Sequence, residues 1–206
     1  VTDVPVGSEF EQTDDYKTYQ RKAQGSGVDE EQTTGVQEIT FDSGAKGFGE
    51  YAVNSSSALY GKIITDVQWY LKKGTVGVGD IVSAKHYSGA STSGNVLIHT
   101  YWTKTASELD TDLAWTDEDM TAGDTAFAVD DYFSIEYTQS DGSAPSGSNS
   151  CTTVRRDTSA GTPYDSTNSK FVNFYFSGSN NVSDRDMNFK ITLATPADWV
   201  ERGTAI

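Results

Sequence analysis

Alternation is the feature that most narrows what this chain can fold into. Met187, Phe189, Ile191 and Leu193 are apolar, while the intervening Asn188, Lys190 and Thr192 are polar. A side-chain period of two belongs to an extended strand with one buried face and does not fit the 3.6-residue period of a helix. The pattern recurs over Lys62 to Lys73, where Ile63, Val67, Trp69 and Leu71 share one face and Asp66 and Gln68 the other. In Tyr132 to Thr138, Phe133, Ile135 and Tyr137 oppose Ser134 and Glu136. Lys170 to Phe176 carries aromatics on both faces, which predicts a strand covered on both sides.

Shorter strands are predicted over Glu38 to Phe41, Gly49 to Val53, Asp80 to Tyr87, Asn95 to Thr103 and Cys151 to Arg156. The turns between them are rich in Gly, Ser, Asn and Asp, such as Gly74, Gly77 and Gly79, or the run Asp141 to Gly147. The tail after Pro196 is expected to make one helical turn around Trp199. Neither strand–helix alternation nor a fixed-period repeat is evident. The expected fold is therefore all-β, a single antiparallel β-sandwich of jelly-roll-like type spanning residues 37–206.

Residues 1–36 read differently. Val4, Val6, Phe10, Tyr16 and Tyr19 are thinly spaced and lack a period, and Asp29, Glu30 and Glu31 form an acidic run. Such a segment buries too little surface to order itself. It is expected to be an extended acidic N-terminal arm that a neighbouring copy of the chain holds in place.

The chain carries a net charge of -15, unevenly placed. Residues 1–50 hold 11 acids and 4 bases, residues 108–131 hold 9 acids and no base, and the remainder is close to neutral. This excludes sequence-independent binding to nucleic acid phosphates, which requires the opposite sign. No run approaches the roughly 18 apolar residues of a membrane helix, so membrane insertion is not expected. A single cysteine, Cys151, cannot form an intramolecular disulfide and reads as a buried, inert thiol.

The materials for catalysis are sparse. His86 and His99 sit on presumed strands, and no Gly-x-Ser-x-Gly elbow presents a serine. Glycoside hydrolysis needs two carboxyl groups facing one cleft, whereas Glu50 and Glu136 are isolated strand acids. No catalytic residue is assigned. Glu108, Asp110, Asp112, Asp117 and Asp119, with Glu118, offer hard oxygen ligands of the kind calcium takes, although the rest of a helix-loop-helix calcium signature is missing. Their other reading is a solvated acidic face. Calcium is the only cofactor the sequence brings forward; two histidines and one cysteine do not furnish a zinc site.

Asn54-Ser55-Ser56 and Asn181-Val182-Ser183 are N-glycosylation acceptors, relevant if the protein is exported; the start at Val1 suits a removed signal peptide or a removed initiator Met. Tyr87, Tyr101, Trp102, Trp115 and Tyr164 are candidates for stacking on a sugar ring, with core or edge packing as the alternative for each.

Two of the strands carry a family likeness. Asp66-Val67-Gln68-Trp69-Tyr70-Leu71-Lys72-Lys73 resembles the first core strand of β-sandwich modules in archaeal and viral surface proteins. Asp130-Asp131-Tyr132-Phe133-Ser134-Ile135-Glu136-Tyr137 is similar to their later Gly-Asp-Tyr-Ile-x-Ile-x-Tyr strand, with Asp130 replacing the glycine. Tyr164-Asp165-Ser166-Thr167-Asn168 resembles the loop that follows, and the likeness spans residues 58–194. It implies a non-enzymatic extracellular, cell-surface or virion module engaged in assembly, adhesion or glycan contact, with no catalytic residues to carry over.

Three functions follow in order of expectation. The first is a structural surface protein, a coat, decoration or filament subunit that self-assembles through its arm. The second is a carbohydrate-binding or adhesin module with glycans as partners. The third is a glycoside hydrolase or lyase.

Overall fold

The computed structural model describes residues 6–12, 17–21, 24–41, 44–90, 95–143, 145, 150–156, 164–165, 167–175, 180–197 and 199–204. Val4, Tyr16, Ser166 and Phe176 lie outside them, as do most of the turn run around Ser146 and the side chains of Phe10, Tyr19, Asn181 and Trp199.

In chain order the strands are β1 (Glu9–Gln12), β2 (Lys17–Arg21), β3 (Val28–Gln32), β4 (Gln37–Thr40), β5 (Ala45–Ala52), β6 (Ile63–Lys73), β7 (Ile81–Ser88) and β8 (Val96–Thr105). They continue with β9 (Ala114–Trp115), β10 (Asp131–Thr138), β11 (Cys151–Arg156), β12 (Ser169–Tyr175), β13 (Asn180–Ser183), β14 (Asp186–Met187), β15 (Phe189–Ala194) and β16 (Trp199–Thr204). Two large sheets have the orders β13-β12-β5-β10-β7-β8 and β14-β11-β6-β15-β3, the latter with β4 on β11 and β9 on β6, and a three-stranded sheet has the order β1-β2-β16. Neighbouring strands run antiparallel, and the two sheets pack face to face as a β-sandwich. Among the described residues no helix is long and apolar enough to cross a membrane.

The alternating residues supply the interface. Val67, Trp69 and Leu71 from β6 and Phe189, Ile191 and Leu193 from β15 all face inward and are buried. Phe133 of β10 reaches across to them, 5.4 Å from Trp69 and edge-on to Phe189 at 4.9 Å. Edge-to-face contacts of this kind bury large apolar area while matching the positive ring edge to the negative ring face.

β10 is buried on both faces. Behind Phe133, Ile135 and Tyr137, the residues Tyr132, Ser134 and Glu136 are also enclosed, under a second apolar layer of Tyr51, Tyr87, Val172 and Phe174. Gly47 makes that layer possible, since a Cβ there would lie 2.2 Å from the Phe174 ring. β12 is likewise covered on both sides through Phe171, Val172 and Phe174.

Three expectations need correction. Residues 28–32, counted in the arm, form β3 and hydrogen-bond to β15 of the same chain, from Val28↔Leu193 to Gln32↔Phe189. Strands β1 and β2 pair with each other, and β2 pairs with β16, so the chain itself supplies partners to the segment before residue 36. The tail around Trp199 is strand, not helical turn. The physical reason is a backbone one: β3 satisfies the unpaired N–H and C=O groups at the edge of β15, and β1, β2 and β16 satisfy one another's in a three-stranded sheet, whatever their side chains.

The acidic segment 108–131 is also more than a solvated loop. Thr116 N–H donates to the Trp69 carbonyl (2.9 Å), Gly123 N–H to Ile64 (3.0 Å) and Phe127 N–H to Lys62 (2.8 Å), while Thr121 N–H donates to Tyr101 (2.9 Å). The segment therefore runs along β6 and touches β8, closing one side of the sandwich. Its acids Glu108, Asp110, Asp112, Asp117 and Asp119 face solvent.

Candidate functional site

The outward residues of β6 and β15 build a polar surface. Strand register places Lys190 between Gln68 and Glu31, and Thr192 between Asp66 and Asp29. Thr192 Oγ1 donates to Asp29 Oδ1 at 2.7 Å, fixing the edge strand β3 to its neighbour. The wall segment adds an aromatic: Trp115 pairs with Tyr70, their ring centroids 4.9 Å apart, and both are half-buried. The Lys190 ammonium lies over the Trp115 ring, 4.6 Å from its centroid.

Two recesses open on this side of the sandwich. One, of about 460 Å³, is lined by Asp29, Glu30, Glu31, Asp66, Gln68 and Lys190 with Ile191 and Thr192. The other, of about 220 Å³, has Trp115 itself in its lining together with Lys104, Glu108, Asp110, Asp117 and Glu118. Partial burial raises the Asp66 carboxyl, and the charges of Asp117 and Asp29 add to the rise. Burial likewise raises Glu30, with Asp165 contributing. An aromatic ring beside amide, hydroxyl and carboxylate groups suits recognition of a polyhydroxylated ligand, because apolar ring faces stack while the polar groups fix hydroxyls.

The other four aromatic candidates are core residues and cannot stack on a sugar. Trp102 is buried and donates its indole N–H to the Val67 carbonyl at 3.0 Å. Tyr87 is buried against Tyr132 at 5.3 Å, Tyr164 against Phe189 at 4.9 Å, and Tyr101 against His99 at 5.1 Å. Only Trp115 lies on an outer face, because only it comes from the wall segment.

Of the acids proposed for calcium, Glu108, Asp110 and Asp117 line the smaller recess with Glu118. Among the described residues no three His, Cys, Asp or Glu side chains come together as a metal-holding group. Glu118 is instead taken up by Lys104. Asn54 is exposed in a turn where its Oδ1 accepts from Ser56 N–H at 2.8 Å, and Asn181 lies on β13, opposite Asn173.

No family model, curated protein or solved structure matches the chain.

Several interior groups had no distinguishing signal in the sequence. Glu50 and Glu136 are both buried, but on opposite faces of one sheet: Glu50 sits opposite Phe133 in the ladder, and Glu136 is three residues further along β10. They therefore do not share a cleft. Glu50 Oε1 accepts from Met187 N–H at 2.5 Å, and burial, reinforced by nearby Asp186, raises its carboxyl well above the usual range. Asp186 in turn binds Arg156 Nε at 2.6 Å. Glu136 pairs with Lys85 at 2.7 Å. His86 is buried, stacked on Phe127 at 3.9 Å, with Nε2 3.2 Å from Asp131. Burial pushes the Cys151 thiol up to about 12, which removes it as a nucleophile.

Proposed function

We propose that this chain is a non-enzymatic surface protein, displayed outside the cell or on a virion, whose sandwich binds glycan through the outer face of β6, β9 and β15. The observation that carries the reading is Trp115: a half-buried indole beside Tyr70, in the lining of a recess rich in hydrogen-bonding side chains. The reading requires no cofactor. A glycan array followed by calorimetry tests it. Trp115→Ala is expected to weaken binding at least about tenfold, near 1.4 kcal/mol, without lowering the melting temperature enough to unfold the protein. Equal binding by the variant, or no glycan bound at high protein concentration, refutes the reading.

A second reading, a coat, decoration or filament subunit that contacts copies of itself, is supported by a different feature. The edge strand β8 begins with Val96 and Leu97, 60% and 49% exposed, and residues 95–107 contain no acid. An uncharged, apolar stretch of edge such as Val96–Leu97 is a template for pairing with another chain. Since β3 already belongs to its own sheet, this edge and not an arm ending at residue 36 is the place to test assembly. Leu97→Lys is expected to shift a self-associating sample toward monomer in light scattering, and unchanged association would exclude the edge.

A further inference from the structure

We propose that the crossover between β13 and β14 is a pH-operated latch: with Glu50 protonated it is closed on the sandwich, and loss of that proton releases residues 184–187 while the two large sheets stay packed. The inference is independent of the glycan and self-association readings.

The chain leaves the edge of one sheet at Ser183 and joins the edge of the other at Asp186. Both strands are short and terminal in their sheets, so little main-chain pairing resists their departure. A few polar ties hold the crossover instead. From β11, Arg156 donates through Nε to Asp186 Oδ2 at 2.6 Å and through Nη2 to the Asp184 carbonyl at 2.7 Å. From β12, Phe171 N–H donates to the Arg185 carbonyl at 3.0 Å, and Lys170 pairs with Asp184 at 2.7 Å. The tie from β5 is the Glu50 carboxyl, which accepts from Met187 N–H.

Charge balance makes that last tie the weak one. Glu50, Asp186 and Arg156 are all buried, so two carboxyls share one guanidinium. Phe133 and Phe171, opposite Glu50 in the ladders of β10 and β12, bring no charge. Tyr164 adds a neutral phenol whose hydroxyl makes no hydrogen bond. Asp186 takes the guanidinium and a Tyr164 N–H, whereas Glu50 Oε2 has no partner. Neighbouring carboxyls in a dry interior do not both ionise on one compensating cation, so the proton stays on Glu50. Burial, reinforced by the Asp186 charge, raises its carboxyl accordingly, against the smaller effects of Met187 N–H and Arg156.

The closed form therefore binds this proton more tightly than an opened form, in which a hydrated glutamate titrates near 4.3. Closure is complete below about pH 4, and its equilibrium constant falls by up to about tenfold per pH unit above that, until the closed form itself titrates. Displacing the edge segment brings water to an ionised Glu50 at lower cost than parting the sheets.

Residue-resolved amide hydrogen exchange from about pH 5 to about pH 8, at several low urea concentrations, tests this. After correction for intrinsic exchange, the Met187 and Phe171 amides should lose up to about tenfold in protection per pH unit. Their opening should be insensitive to urea, because it exposes little surface. Amides of β6 and β10 should be far better protected at every pH and should respond to urea. Glu50→Gln keeps the acceptor for Met187 and cannot ionise, so its Met187 protection should hold level across the series. Exchange of Met187 with the same urea dependence as the β6 and β10 amides means that only global unfolding exposes it, and overturns the latch. Met187 protection that is flat with pH in the wild type, or that falls equally in Glu50→Gln, overturns the assignment to Glu50.

Discussion

Replacing Glu50 by glutamine should make the protein more stable, and increasingly so as the pH rises. The carboxyl is fully buried, beside Asp186, with only Met187 N–H as a close donor to one oxygen. Its proton is therefore held to well above the pH at which an unfolded glutamate, near 4.3, gives it up. A raised carboxyl pKa means that the folded state binds more protons than the unfolded state between those two values. The stability it supports is complete below about pH 4 and is lost progressively as the pH climbs toward the folded value. The loss reaches about 1.4 kcal/mol per pH unit for one fully linked proton. Glutamine keeps the acceptor for Met187 and cannot ionise, so the difference between wild type and Glu50→Gln isolates this proton from every other group. With a urea m-value of about 2 kcal/mol/M, the midpoints should separate by up to about 0.7 M for each pH unit between the unfolded and the folded titration. Equilibrium urea unfolding followed by tryptophan fluorescence at several pH values reads this directly. Parallel pH profiles for the two proteins would refute the reasoning.

Other parts of the interior give sharper tests. Arg156→Met leaves Asp186 buried without its guanidinium and should cost about 3–5 kcal/mol in denaturant titration. Gly49→Ala would put a Cβ 2.1 Å from the Phe133 carbonyl oxygen between two central strands, so loss of the cooperative thermal transition is expected, whereas an unchanged transition would contradict the packing. The Cys151 thiol, held at about 12, should resist a thiol reagent at about pH 8 until denaturant is added.

How much of this was legible in the sequence depends on whether side chains or backbone decide the outcome. β6, β10 and β15 are announced by their alternation because one face meets the opposite sheet. β3 is silent: Asp29 and Glu31 point outward while Glu30 and Gln32 point inward, so both faces are polar and no period shows. The wall segment shows no period either, because its ties to β6 are mostly main-chain hydrogen bonds. Trp115 could be named in advance but not separated from Tyr87, Tyr101, Trp102 and Tyr164, because exposure depends on which side of the sandwich each element passes. The burial of Glu50, lying between Gly49 and Tyr51, follows only from β14 crossing above it.

The closing of the sandwich by residues 114–127 has a consequence for how this protein can change over time. Peptide groups make most of those attachments, and every residue except proline brings the same two. Solvent-facing positions along this flank can thus exchange acids for neutral or basic residues with little effect on folding, leaving the molecule a strip whose surface character is free to drift while its framework stays fixed.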